Sequence, residues 1–455
     1  MGSVCREAPT QMSQALREQA VALYRQGLAR ITPEVLMRHA LHPDGPRLAL
    51  TFLDRTESVK IGPGGGVQVL AIGKAAAPMA AEARRLLGPL SRKGLIVTKY
   101  GFALPDAPYP QREAGHPVPD ANGVAAASEA EELARRVPPE DLLLVLVSGG
   151  ASALLPAPVP GVTLADKQEL AALMLRADMD IHQINRVRKG ISRLKGGGLA
   201  AVAGRLAGTA GAGKAPQTVG LYLSDVPGDE LSSIGSGPTV PEPVDYPELI
   251  RLLRSKGLWE RAPAAVRRVF EAGRVPLKQP ARPPINGLIG SNRHLLRAVE
   301  AAALAAGFRT RVIETPITGL NREALPRIAG LWDSWRRESG AGPLALVCGG
   351  ETTVEVTGKG LGGRCQELAA LALPAVDGET VFLAAGSDGN DGPTDAAGAV
   401  VDRESWERLR AAHLPYDALL ADNDAYRLLD QSGNLIRVQP TRNNVMDVYL
   451  LLRGA

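Results

Sequence analysis

Short apolar runs alternate with amphipathic stretches along nearly the whole chain, and that alternation constrains the fold more than any other feature. The strand candidates are Val67–Ile72, Gly94–Thr98, Leu142–Val147 and Val219–Leu223, then Gly287–Gly290, Arg311–Glu314, Leu344–Cys348, Val354–Val356 and Val381–Ala385. Between them Ala75–Leu87, Gly123–Arg136 and Leu164–Arg176 space their apolar residues as helices do. Strands separated by helices pair in parallel through crossovers, and parallel strands are buried on both faces. The expected class is α/β with largely parallel, buried sheets. In such sheets ligands bind beyond the carboxyl ends of the strands, and most of these runs end in a glycine-rich turn.

A chain of 455 residues is long enough for two or three domains. Four prolines fall within residues 275–284, which excludes both helix and central strand there. The division expected is therefore a first domain over 1–245, a helical segment with a proline-rich linker over 246–284, and a second domain over 285–455. Aromatic residues are only 4% of the chain, so Leu, Val, Ala and Ile must build the cores. The net charge of +4 is spread out and aromatics are not interleaved with basic runs, which argues against nucleic acid and suits small anionic metabolites. Cys5, Cys348 and Cys365 form neither a disulfide framework nor a metal spacing. With no apolar leader at the N-terminus and no apolar run of about 20 residues, a cytoplasmic protein without membrane contact is expected.

Several motifs sit at strand ends. Lys74 ends a buried strand, placed either to hold a phosphate or carboxylate or to reach solvent. Ser148 and Ser152 flank the turn after Leu142–Val147 and either cap a helix or bind an anion. The basic segment Asn185–Lys189 leads to Lys195 and the three glycines 196–198; helical spacing brings Lys195 near Arg188 and Ser192. Like charges so close need solvent or an anion, and the glycines favour a phosphate. Asp225 and Asp229 end another strand, followed by Gly235-Ser236-Gly237; one or two carboxylates beside such a loop suit Mg²⁺ with a nucleotide, though turn chemistry explains part of it. Asp388 and Asp391 lie in a loop whose register fails for an EF-hand; they either serve Mg²⁺ or a substrate hydroxyl, or form an Asx-turn.

Residues 358–363 fit Gly-x-Gly-x-x-Gly, follow a β-branched segment and precede an apolar helix. Arg364 immediately after adds a bidentate cation, so the stretch reads as a site for a carboxylate or a transferring phosphoryl group. Residues 208–214 match the start of a Walker loop but lack its Ser or Thr, and Pro216 blocks the helix that should follow.

In order, Gly73-Lys74-Ala75, Gly115–Asp120, Val147–Ser152, Asn185–Lys189 with Lys195–Gly197, Ser224–Asp229, Ser236–Thr239, Gly349–Thr353, Gly362–Glu367 and Gly386–Thr394 resemble the glycerate 2-kinase family, whose C-terminal portion is the MOFRL region. The resemblance spans about residues 70 to 450. It implies two α/β domains, the first Rossmann-like with a three-layer parallel sheet and the second with a mixed sheet, and an active site in the cleft. It also implies ATP-dependent phosphorylation of D-glycerate to 2-phospho-D-glycerate with Mg²⁺, by a monomer or homodimer. Lys74 and Arg364 become the main catalytic candidates, with Asp225 beside them. Ser148, Gly149, Gly150, Ser152 and Arg364 would bind glycerate. Lys195, Gly196, Gly235, Ser236, Gly237 and Asn292 would bind the nucleotide, and Asp225, Asp229 and Asp388 the metal. Two departures stand out: Gly190, where the family often has histidine, and Gln439–Asn444, where it tends to Gly-Pro-Thr-x-Thr-Asn.

The rival enzyme is a nicotinamide-dependent reductase of hydroxypyruvate or a related acid, resting on the glycine spacing of 358–363 alone. A sugar-acid binding protein is the non-enzymatic alternative, and the paired aspartates count against it.

Overall fold

The computed structural model describes residues 11–177, 179–206, 215–273 and 279–454; residues 208–214 and the start of the proline-rich stretch lie outside them. The chain forms two compact units, Pro33–Gly290 in one and Met1–Thr32 with Ser291–Ala455 in the other.

The first unit opens with a small antiparallel sheet, β1 (Leu41–Asp44), β2 (Arg47–Thr51) and β3 (Thr56–Lys60). Its main sheet contains β4 (Val67–Ile72), β5 (Ser91–Lys99), β6 (Gln111–Ala114), β7 (Leu142–Val147), β8 (Gln217–Leu223) and β9 (Ile285–Gly290). All five pairings are parallel, in the order β6-β5-β4-β7-β8-β9. This is the Rossmann order, which reverses direction between β4 and β7. Every residue of β4, β7 and β8 is buried, which is why they read as largely apolar runs, interrupted only by Gln68 in β4 and by Gln217 and Thr218 at the start of β8. Ala126, Ala127, Ala130 and Ala134 of helix Ala121–Arg135 share a core with Leu70, Val97, Leu143 and Val145.

A second core in this unit joins four helices, Leu164–Arg176, Ile181–Gly190, Tyr246–Ser255 and Ala264–Ala272. The described residues of 246–284, expected from the sequence as a helical segment and linker of their own, instead pack with this unit. Tyr246, Leu249, Leu253 and Phe270 pack with Ile184 and Val187, and β9 then completes the sheet edge. The boundary falls at 290/291 because that last strand pairs with β8. Gly190 is explained by this packing: a β-carbon there would lie 2.9 Å from Leu249 Cδ1 and 3.2 Å from Phe270 Cε1. Any side chain there would require Leu249 and Phe270 to shift.

The second unit has a mixed sheet in the order β10-β11-β15-β12-β13-β14. Its strands are β10 (Arg309–Leu320), β11 (Leu344–Thr353), β12 (Thr380–Gly386), β13 (Gly398–Val401), β14 (Leu435–Ile436) and β15 (Asp447–Arg453). Only β10 and β11 pair in parallel. Val354–Val356, expected as a strand, is irregular, and Val356 is 76% exposed. Helix Gln11–Arg30 belongs here and not with the first unit; Tyr24 Oη donates to the carbonyl of Gly386 at 2.6 Å. No described helix is long and apolar enough to cross a membrane.

Candidate active site

In the first unit the order reversal between β4 and β7 opens a crevice at their carboxyl ends, where two turns meet. Lys74 N donates to Gly149 O at 2.9 Å, and Ala75 N donates to Ser148 Oγ at 3.0 Å. Gly73 is at φ 126°, and a β-carbon there would lie 2.2 Å from Ser148 Oγ. Only glycine lets the turns approach this closely. Ser148, only 2% exposed, thus ties the turns together and does not present its hydroxyl to a ligand, contrary to the expected substrate role. The N–H groups of Gly149 and Gly150 make no hydrogen bond to another described residue. Asp225, after β8, sits against this turn: a β-carbon on Gly149 would lie 2.2 Å from its Oδ2.

A cavity of about 290 Å³ adjoins the turns and is closed by helices Leu164–Arg176 and Ile181–Gly190. Its polar lining includes His116, Ser152, Asn185, Arg188, Lys195 and Asp225. Lys195 Nζ donates to Ser152 O at 2.6 Å and to Ser152 Oγ at 3.0 Å. Ser152 Oγ meets Ser236 Oγ at 3.0 Å, and Ser236 Oγ donates to Asn185 Oδ1 at 3.2 Å. Of the expected nucleotide-binding residues, Lys195, Gly235 and Ser236 reach this site. Gly196 N is spent on Ser236 O at 2.9 Å and Gly237 N on Ile234 O at 3.0 Å, so neither N–H cradles a phosphate.

Lys74 and Arg188 make no hydrogen bond or ion pair among the described residues, which leaves both charges available to an anion. Burial lowers the Arg188 guanidinium from its ordinary value. His116, within the segment Gly115–Asp120 and given no role from the sequence, lines the cavity, and a β-carbon on Gly150 would lie 3.2 Å from its Nε2. Burial first, then Lys74 and Lys99, push its pKa down to about 4, so the ring is neutral at physiological pH.

In the second unit the glycine loop does something other than what its spacing promised. Gly358 N donates to Asn423 Oδ1 at 2.8 Å, Lys359 N to Asp422 Oδ1 at 2.9 Å and Gly360 N to Asp422 O at 2.7 Å. Asp391 holds the N-terminus of helix Arg364–Ala372, accepting from Cys365 N at 3.2 Å and Gln366 N at 2.8 Å. The anion expected there is this protein's own carboxylate. Arg364 makes a bidentate pair with Asp447 at 2.6 and 2.9 Å and a further contact with Glu351. Burial works against its charge, but the two carboxylates more than offset that and raise its pKa. Arg364 is thus a compensated cation, and neither Asp447 nor Glu351 was read as its partner. Asn292 is also committed, donating to Val445 O and Asp447 O, both at 2.9 Å, which replaces its expected nucleotide contact.

Burial raises the Asp391 pKa to about 7 despite its two N–H donors. A carboxyl whose folded pKa lies above its unfolded value binds extra protons when folded, so its stabilisation holds at low pH and fades as pH rises to about 7. The thermal midpoint of the wild type minus that of Asp391→Asn should therefore fall between pH 4 and pH 7. A flat difference across parallel melts would contradict the assignment.

A metal implied by the sequence can be tested against these residues. Asp229 Oδ1 is buried without a hydrogen-bond partner among the described residues, which fits a carboxylate awaiting a cation. Asp388 Oδ1 accepts from Asn390 N at 3.0 Å, an Asx-turn. No three His, Cys, Asp or Glu among the described residues form a metal-binding group; Mg²⁺ with a nucleotide needs only one or two carboxylates.

A Rossmann-order unit with a cationic crevice at its switch point, joined to a mixed α/β unit, defines a class that known proteins share. Residues 19–271 match the family model described as a domain of unknown function, DUF4147, and residues 344–447 match the MOFRL family. The D-glycerate 2-kinase of Thermotoga maritima is 35% identical over 444 residues, 96% of this chain and 98% of that one. The human glycerate kinase is 32% identical, covering 99% of this chain and 95% of its own. A crystal structure of glycerate kinase from Thermotoga maritima superposes with a TM-score of 0.83 at 33% identity, over 97% of this chain and 100% of the other. The chain belongs to the glycerate kinase family.

Proposed function

We propose that this protein is an ATP-dependent kinase that phosphorylates the 2-hydroxyl of D-glycerate, giving 2-phospho-D-glycerate and ADP. The observation that carries this reading is the switch-point crevice. There Lys74, whose Cγ would lie 3.6 Å from a β-carbon on Gly150, and Arg188, which lines the same cavity as Gly150, make no ion pair among the described residues, and the N–H groups of Gly149 and Gly150 make no hydrogen bond among them. Membership of the glycerate kinase family supports the substrate and the position of transfer. A cytoplasmic monomer or homodimer completes the reading.

In the reaction the 2-hydroxyl oxygen attacks the terminal phosphorus of ATP as the bond to ADP breaks, and the hydroxyl proton is released. Such transfer needs positioning and charge neutralisation more than covalent chemistry. Lys74 draws the transferring phosphoryl oxygens to the end of β4. Lys195 holds Ser152 and Ser236 in place, so the loop is set before the ligand arrives. Asp225 and Asp229 would hold Mg²⁺, which neutralises charge on the phosphates when bound with the nucleotide. Arg364, tied to Asp447 and Glu351, contributes a fixed positive group in the second unit.

The reductase alternative loses its basis, since the N–H groups of the glycine loop go to Asp422 and Asn423. The direct test is ADP release measured with and without D-glycerate. Glycerate-dependent release, with NAD(P)H absorbance unchanged by hydroxypyruvate, is expected. Oxidation of NAD(P)H with no ADP release would refute the kinase.

A further inference from the structure

The basic segment 186–195 is dense in charge, and four of its five flanking cations find protein partners. Arg186 pairs with Glu248, Lys189 with Glu242 and Arg193 with Glu131, while Lys195 donates to Ser152. Arg188 is the exception. It projects from helix Ile181–Gly190 into the cavity, half-buried, with no hydrogen bond or ion pair among the described residues. The helix is held by a capping box in which Asp180 Oδ1 accepts from Gln183 N at 2.8 Å and Gln183 Oε1 accepts from Asp180 N at 3.3 Å. Val187 is fully buried and Ile184 nearly so, which fixes the rotation of the helix and hence where Arg188 points.

A guanidinium withdrawn from water with no counter-charge is unfavourable unless an anion completes it. Its planar fork matches a carboxylate in bidentate fashion. The cavity that it lines also holds Asn185, Ser152 and His116, neutral hydrogen-bonding groups suited to hydroxyls, together with the cations Lys167 and Lys195 and the carboxylate of Asp225. We propose that Arg188 is the specificity-determining residue of this cavity, binding the carboxylate of a short hydroxy acid while the neighbouring polar groups take its hydroxyls. The proposal deepens the kinase reading and rests on it for the identity of that acid as D-glycerate.

The experiment is steady-state kinetics of the wild type, Arg188→Lys and Arg188→Ala, with D-glycerate, ATP and the neutral analogue glycerol. KM for D-glycerate should rise on the order of 10²-fold or more in Arg188→Ala, as loss of one partner of a desolvated charge pair does. KM for ATP should stay within about twofold, and the preference for D-glycerate over glycerol should collapse. Methylguanidinium should restore part of the glycerate affinity. A general structural defect would not narrow that preference. A rise in KM for ATP with KM for glycerate unchanged would overturn the proposal in favour of a phosphate ligand. If the wild type turns over no glycerate, the kinase reading fails separately, and calorimetry with D-glycerate decides for Arg188. Binding to the wild type that is lost in Arg188→Ala supports the inference; equal binding, or none to the wild type, overturns it.

Discussion

Lys74→Ala should lower turnover on the order of 10³-fold or more while leaving the thermal midpoint almost unchanged. The two halves of that result have separate causes. Lys74 makes no hydrogen bond or ion pair among the described residues, so folding gains little from its charge. Its position at the end of β4, beside the Gly149 turn, is where the Rossmann order opens for a ligand. A cation used only as charge develops on a transferring phosphoryl group appears in kcat and not in stability. Comparison of kcat and melting for the wild type, Lys74→Ala and Lys74→Arg checks this. Near-normal turnover in Lys74→Ala would remove the residue from the mechanism; a large fall in melting temperature would make its role structural.

Arg364→Ala should behave differently, losing stability as well as activity. The guanidinium compensates Asp447, which is 1% exposed, and Glu351. Removing it strands a buried carboxylate, a change that typically costs about 3–5 kcal/mol. The fully buried core of β11, β15 and β12 lies next to that pair, so the cost should be felt in the cooperative unfolding of the second unit. Replacing both partners, Arg364→Met with Asp447→Leu, should recover much of the stability but none of the activity. Denaturant melts of the single and double variants test the coupling. An Arg364→Ala protein as stable as the wild type would mean that the Asp447 pair contributes little to folding.

The fully buried parallel strands were legible because burial on both faces leaves them almost wholly apolar; Gln68, paired with Asp141 at 3.0 Å, is the polar residue within β4. Val67–Ile72 and Leu142–Val147 are read to the residue. Strands β1, β2, β3, β6 and β13 to β14 were not, because they are short or half-exposed and owe their existence to partners that local pattern does not reveal. β15 is a continuous apolar run like β7 and was open to the same reading. The glycine loop was misread for a definite reason: spacing shows that N–H groups are available, not that Asp422, Asn423 and Asp391 take them. The basic segment was similar. Its crowding of like charges was visible, but which cations found partners depended on Glu131, Glu242, Glu248 and Ser152, distant in the chain. The proline-rich stretch looked like a domain boundary because prolines exclude regular structure, yet the strand after it, β9, still pairs with β8.

The central claim is transfer of a phosphoryl group to the 2-hydroxyl of D-glycerate, and ³¹P NMR of the protein with ATP, Mg²⁺ and D-glycerate tests it most directly. A new phosphomonoester resonance coupled to the single proton on C2, growing as the ATP terminal resonance declines, is the predicted result. Coupling to the two protons on C3 would contradict the position of transfer, and an unchanged ATP spectrum would contradict the kinase itself.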